Sequence, residues 1–592
     1  GAPAPAPCAA KGSAYVTEFG ALAGPQHGPR RWPSAALWSE APAKTEVTVV
    51  LRPEKPRQHI LGFGAAMTES AAQVIYSSPE RDSILDDLFL PMDKGGAGFS
   101  CLRVCIGSSD FSLDAVEFSR SRGLELLVPA LRAAKRRNPR IALLASQWSA
   151  PAHMKTSGSL NGGTLKDECI QPYCHYLLKA LLFFEKQGLH ISAMTLQNEP
   201  FCETDYPSMA LTAQQQAALA RELVPLLRKN GLSTLVVGHD HNFSHKAHAV
   251  ELLQLCGDIL DGTAWHAYEG KETSLADEVI QSNGIFFTEQ TAHSVRPRDA
   301  DFLKDTEWML QHVLLGPLLA GSRCALSWNL ALDRHFGPRL PGAPRNCRGV
   351  VEVADVGKHE RSPEFFALAH ICHATSAPEG QGTWRIFGKG SNPMVGCAAF
   401  RSACGSTIGA LLQNRGAAAA AVLLRCGERT LARLLLPPKS LLSVSGLELP
   451  PELRPKASLS SSLRPRAPVD AYCLPGAMFA LRSRCHGAYL AIHGHHNVLY
   501  QSDTREPGDW ERWTAVEAGE RSVALRSCFG SFLGLDGQRR LVLVKSWFEK
   551  LTFTILAMPD GSVAFYSDFG CLQMPGEGRE PRLTNSRIGA WE

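Results

Sequence analysis

ISAMTLQNEP (residues 191–200), the run AALARELVPLLRKN (217–230) and TLVVGHD (234–240) together decide the fold. ISAMTLQ is a short, continuous apolar run, the form taken by a strand buried on both faces of a parallel sheet. Thr212 with Gln215 forms a capping box ahead of the helical run, and Gly231 supplies its stop. The same unit, an apolar run then a polar loop then a helical pattern, recurs from residue 61 to residue 330. Its other runs are LGFGAA (from Leu61), SCLRVCIG (Ser100), IALLASQ (Ile141), GTAWHAY (Gly262), GIFFTE (Gly284) and CALSWNL (Cys324). A further helix is expected between Lys166 and Gln187, ending at Gly188. Eight such units over roughly 270 residues match a (β/α)8 barrel, whereas a doubly wound sheet rarely needs eight in succession.

Working outward, the helical pattern stops near residue 370. Residues 383–448 carry short strand-like runs (TIGALLQNR, AAAVLLRC, LARLLLP, KSLLSVSGL) that read as a β-sandwich. TEVTVVLRP, from Thr45, is strand-like but precedes the barrel, so it is expected to join that sandwich. Residues 450–470 are Pro-, Ser- and Arg-rich without an apolar period, a linker. Beyond them FALRS (Phe479), VALRS (Val523) and VAFYS (Val563) align, each followed by a Gly-led strand, which argues for a β-trefoil whose third repeat lacks its last strand. The expected division is therefore α/β: 1–60 lending strands to the sandwich, 61–368 a catalytic TIM barrel, 369–449 the sandwich, 450–470 a linker and 471–592 a trefoil-like module.

Composition narrows the function. The chain has 592 residues, 44% hydrophobic and 20% charged, which excludes a disordered chain, a collagen or a coiled coil. Its net charge of +4 gives no reason to expect a nucleic-acid partner. No apolar stretch reaches membrane-spanning length. The Ala/Pro-rich start GAPAPAPCAA reads as a terminus left after removal of a targeting segment, and Asn242-Phe243-Ser244 is a glycosylation sequon; together they point to a secretory, lysosomal or extracellular location. The 17 cysteines show no Cys-x-x-Cys pair, and those in strand-like runs, such as Cys101, Cys105 and Cys324, read as buried thiols.

In a (β/α)8 barrel the chemistry lies at the C-terminal ends of the strands. Those ends carry Arg103 and then Asp110-Phe111, Trp148, Asn198-Glu199-Pro200, His239-Asp240-His241-Asn242, Trp265-His266 with Tyr268, Glu289, and Trp328-Asn329. Any one could be a strand-end charge facing solvent. All of them together suit a sugar, because carboxylates attack or move protons while flat rings stack on pyranose C–H faces. Glu199 and Glu289 end the fourth and seventh strands, across the barrel mouth from one another, where two carboxyls can flank a glycosidic bond. Retention needs them ≈ 5–5.5 Å apart, one attacking and the other protonating the leaving oxygen. The donor must hold its proton, and a like-charged neighbour raises its pKa. Asn198 is placed to bond the sugar 2-hydroxyl. A rival reading takes His239, His241, His245 and His248 as zinc ligands; a polar substrate loop plus a helix surface explains them better. Another class of rival is a carbohydrate-binding protein without catalysis, which has no use for both glutamates.

The motifs GFGAAMTES (from Gly62), LRVCIGSSDFS (Leu102), LLASQWSAPAHMKTSGSLNGG (Leu143), TLQNEP (Thr195), WHAY (Trp265), FFTEQ (Phe286) and SWNLALD (Ser327) resemble glycoside hydrolase family 30, most nearly its acid β-glucosidase (glucosylceramidase) branch. The resemblance runs from about residue 10 to about 450. It implies Glu199 as acid/base and Glu289 as nucleophile, with Arg103, Asp110, Phe111, Trp148, Asn198, His266, Tyr268, Trp328 and Asn346 holding the sugar. No metal and no cofactor are implied. The implied substrate is a terminal β-glucoside, first a glucosylated lipid such as glucosylceramide, with contact at a membrane surface; β-1,6-glucanase or β-xylosidase activity is the alternative within the family. The typical glucosylceramidase has a small residue and then Cys after the nucleophile, where Gln290 and Thr291 follow Glu289 here, and its N-terminal cysteine cluster reduces to Cys8. The trefoil-like module is an addition, expected to bind glycan.

Overall fold

The computed structural model describes residues 11–19, 35–270, 284–292, 296, 300–354, 359–377, 382–392 and 394–455, and beyond them the backbone of the strands between 478 and 584. The chain divides into two units, Gly1–Leu463 and Arg464–Glu592.

In the first unit, β1 (Ser13–Glu18) and β2 (Thr45–Ile60) lead into eight parallel strands: β3 (Gly62–Ala66), β4 (Cys101–Ile106), β5 (Ala142–Gln147), β6 (Ile191–Thr195), β7 (Leu235–Asn242), β8 (Gly262–His266), β9 (Ile285–Glu289) and β10 (Ser322–Ser327). They close into a barrel, β10 returning to pair with β3, and they coincide with the eight apolar runs. Side chains alternate across each strand. Cys101, Leu144, Ala193, Val237, Ala264, Phe286 and Leu326 fill the interior as one apolar cluster. Two residues further along several strands the inward positions turn polar: Arg103, Ser146, Thr195, His266 and Thr288 are all buried. The barrel thus has an apolar plug below a polar layer at its C-terminal end.

The helices start where the sequence says. Thr212 caps Ala213–Lys229 with both bonds of the capping box, and Gly231, at φ +75°, takes the left-handed position just beyond its end. The expected helix after Lys166 begins with a 3₁₀ turn and runs from Ile170 to Lys186.

After the short sheet β11 (Ala331–Asp333), β12 (Val351–Val353) and β13 (Glu360–Arg361) comes the helix Pro363–Ala374, which runs through the junction expected at 368. Then follow β14 (Thr383–Gly390), β15 (Val395–Ser402), β16 (Thr407–Asn414), β17 (Ala420–Cys426), β18 (Arg429–Leu436) and β19 (Ser440–Glu448). Over the region expected to be a β-sandwich, these pair with β1 and β2 into one eight-stranded sheet, β1-β19-β16-β15-β14-β2-β17-β18. Irregular register between β14 and β2 joins the halves, and both halves feed one apolar cluster, with Val47, Val49, Val422 and Leu434 from one and Leu412, Leu442 and Val444 from the other. Both N-terminal strands belong to this sheet.

The second unit is all-β as far as described. The pentapeptides at Val523 and Val563 fall on the strands Ser522–Ser527 and Val563–Ser567, and Phe479-Ala480 of the first on Met478–Ala480; antiparallel strand pairs come after them, Tyr489–His493 with Val498–Ser502, Phe532–Leu535 with Leu541–Val544 and Gly570–Gln573 with Arg582–Thr584. Residues 456–470 of the expected linker, Cys8, and the final Trp591-Glu592 lie outside the described residues.

Candidate active site

The site is built around a buried cation. Arg103, on β4, is wholly buried. It donates to Glu289 Oε2, to Asn198 Oδ1 at 2.8 Å, to Ser146 Oγ at 3.1 Å and to Asp240 Oδ2 at 2.9 Å. Its guanidinium also lies over Trp148 (4.9 Å to the ring centre) and Trp328 (5.6 Å), which stack on one another at 5.1 Å. Phe111 meets Trp328 edge-on at 6.2 Å. One charged group therefore fixes a carboxylate, an amide and an aromatic wall.

Asp240 is the second hub. Besides Arg103 it accepts from Ser146 Oγ (2.8 Å), Thr195 Oγ1 (2.6 Å), Thr288 Oγ1 (2.6 Å) and His266 Nε2 (3.1 Å). Burial opposes its charge, but Arg103 and these donors hold its carboxyl far below the ordinary range. A β-bulge puts it there. Pairing between β7 and β8 shifts between His239 and His241, and both His239 (φ +70°) and Asp240 (φ +62°) take left-handed backbone. Strict alternation along β7 would not have singled out this carboxylate, and the sequence reading gave it no role.

Glu199 stands just past β6 with a left-handed φ of +44°. Its Oε1 lies 3.0 Å from His266 Nδ1 and 3.7 Å from His241 Nδ1, and the Cys202 thiol donates to its carboxylate. Glu289, at the end of β9, accepts from Arg103 and from Tyr268 Oη at 2.9 Å. Both glutamates thus belong to one bonded chain, Glu199–His266–Asp240–Arg103–Glu289–Tyr268. His266 is the proton store in it: burial works against its charge, but Glu289, Asp240 and Glu199 together lift it to about 10.

The protonation pattern reverses the expectation. Burial would raise Glu199, yet the hydrogen bond and charge of His266, with His241, hold it below its ordinary value. Glu289 is raised, burial and the Glu199 charge outweighing His266 and Arg103. A like-charged neighbour therefore does not decide the state of Glu199; the imidazole at 3.0 Å does.

Of the remaining expected residues, Asp110 is buried, accepts from Trp328 and is raised, by burial first and then by the charges of Glu289 and Glu199. Its Oδ1 is buried without a hydrogen-bond partner among the described residues. Asn346 is exposed; its neighbour Cys347 is the one packed with Phe111, Trp148 and Trp328. The four histidines of the zinc reading do not converge: His239 Nδ1 meets His248 Nδ1 at 3.0 Å, while His241 and His245 stack at 4.5 Å. Ligand atoms of Glu199, His241 and His266 lie within 4.8 Å of one another, where the proton on His266 competes with any cation. The sequon residue Asn242 is buried, its Oδ1 accepting from the Tyr268 and Glu269 amides. In the folded chain that side chain is part of the barrel rim. Asp240, Cys202 and Cys347 went unassigned, and His241 was weighed only as a zinc ligand, because their roles come from a bulge, or from neighbours far off in sequence.

A profile of the glycosyl hydrolase family 30 TIM-barrel domain matches residues 60–375. An endo-1,6-β-D-glucanase of Neurospora crassa is 27% identical over 385 residues, 58% of this chain and 77% of the relative. The lysosomal acid glucosylceramidase of Mus musculus is 27% identical over 427 residues, 65% of this chain and 78% of that one. Among solved structures, the endo-β1,6-glucanase BT3312 superposes with a TM-score of 0.63 at 25% identity, covering 74% of this chain and all of that one.

Proposed function

The chain belongs to glycosyl hydrolase family 30, a retaining β-glycosidase, and from that premise we propose that it cleaves the β-glucosidic bond of a β-1,6-linked glucan, with Glu289 as nucleophile and Glu199 as acid/base. The observation that carries the assignment is the placing of both carboxylates, at the ends of β6 and β9, in one buried network with two cations. In the first step Glu289 attacks the anomeric carbon as the exocyclic bond breaks, and the leaving oxygen takes the proton that the Glu199–His266 pair shares, delivered through the Glu199 carboxylate as His266 Nδ1 gives it up. In the second, Glu199 takes a proton from water, which attacks the glycosyl ester and releases Glu289. Charge moves as well as protons. Esterification removes the negative charge of Glu289, which favours the ionised form of Glu199 at the moment it must act as base. Arg103 and Tyr268 donate to the attacking carboxylate and fix its direction, while Asp110 and the Trp148–Trp328 pair suit the hydroxyl and C–H faces of a sugar.

Endo-1,6-glucanases occur among both the sequence relatives and the solved structures, and this moves the expected glucosylated lipid to second place. The mouse glucosylceramidase similarity keeps it as the second reading. A 2-fluoro-glucoside inactivator is expected to label Glu289, and NMR of early product to show the β-anomer. Label on another residue, or the α-anomer, defeats the assignment. Among β-1,6-glucan, glucosylceramide and a β-xyloside, the highest kcat/KM is expected on the glucan.

A further inference from the structure

Phe201 is 43% exposed, an unusual state for a large ring two residues after Glu199 and one after the rigid Pro200. Its position is not loose. His245 packs on it at 5.0 Å and His241 at 5.4 Å, both inclined by about 30°, and His248 meets it edge-on at 4.8 Å. Three imidazoles brace the ring, and the rest of it meets solvent. His241 in turn lies 3.7 Å from the Glu199 carboxylate, so the braced ring is one side chain away from the expected proton donor.

We infer that Phe201 is the platform of the leaving-group subsite, receiving the C–H face of the pyranose that departs. A proton donor must touch the glycosidic oxygen, so whatever leaves does so on the Glu199 side. The surroundings select a sugar over an acyl chain. Ser244 Oγ donates to Glu269 Oε2 at 3.2 Å and lies 3.2 Å from His245 Nδ1, so polar groups adjoin the imidazole that packs on the ring. A flat apolar face with polar groups near it matches a pyranose, which is apolar on its faces and hydroxylated at its edge. The inference rests on the reading of Glu199 as acid and deepens it by naming a glycosyl leaving group.

The test compares Phe201→Ala, Phe201→Leu and Phe201→Trp on a β-1,6-linked gluco-oligosaccharide and on β-glucosyl fluoride, whose leaving group has no ring. Ala and Leu are expected to lower kcat/KM on the oligosaccharide about tenfold more than on the fluoride, mainly through KM, and Trp to preserve it. Leu keeps the apolar cover over the imidazoles, so a loss shared by Ala and Leu comes from the missing flat face. Equal losses on the two substrates, or none on the oligosaccharide, overturn the platform. A wild-type enzyme that turns over the fluoride but no β-1,6-oligosaccharide refutes the substrate reading itself, and the subsite with it.

Discussion

Asp240→Asn is nearly isosteric and removes one buried negative charge that faces Arg103 and His266. Five donors converge on the native carboxylate, and an amide can accept from only one side. At the Oδ2 position an NH2 group would face the Arg103 guanidinium, which cannot accept. At the Oδ1 position it faces Thr288, whose hydroxyl can turn round, and His266 Nε2, which can accept only by giving up its proton. The variant is therefore expected to keep Arg103 paired and to leave His266 neutral. Arg103 retains Glu289, so the cost falls at the low end of that for a broken buried pair, ~3 kcal/mol. For the unit Gly1–Leu463, a melting entropy of ~2.1 cal/mol/K per residue amounts to about 1 kcal/mol/K, so Tm should drop by ~3 °C. The drop depends on pH. His266 titrates at about 10 in the fold, above its ordinary unfolded value, so its stabilisation is full below ~6.5 and lost as pH rises through about 10. The wild-type advantage in calorimetry should therefore shrink between pH 6 and pH 10.5. In the pH profile of kcat/KM the alkaline limb should move down by about two units or more. A Tm change below ~1 °C with an unmoved alkaline limb would refute the two-hub account.

Burial holds His59, His241, His248 and His373 at about 4 and His370 at about 3, below the unfolded value, so the unfolded chain takes up more protons and stability should fall as pH drops from ~6.5 towards 4; a flat Tm across that window contradicts it. Ending the chain at Leu463 is expected to spare hydrolysis of a small soluble glucoside and to weaken adsorption to insoluble β-1,6-glucan, measured by pull-down; loss of small-substrate turnover would make the second unit part of the catalytic fold.

Much of the barrel was legible because a strand buried on both faces has to be written as an unbroken apolar run, and eight such runs stand in order. The rim residues were legible for a related reason: a charged or aromatic residue directly after such a run has no place in the plug and falls at the strand end. Asp240 escaped because the bulge breaks the alternation from which facing is read. The state of Glu199 escaped because His266 is remote in sequence and reaches it only once β8 closes beside β7. The single curled sheet was hidden too, since its halves are joined by β2, which lies before the barrel in the chain.

That placement of β2 has a consequence during synthesis. Its 16 residues, Thr45–Ile60, pair with β14 and β17, whose first residues are Thr383 and Ala420, so the whole barrel is made before either partner exists. At ~5–20 residues per second the wait is on the order of tens of seconds, long beside the microseconds in which a hairpin forms. Throughout it Val47, Val49 and Leu51 have no sheet to cover them. The nascent chain thus carries an unpaired apolar strand at its leading end, next to β1, which finds its partner β19 last of all. The sheet can therefore be completed only after the last of its strands has been made, so non-local pairing makes its assembly the late step of folding.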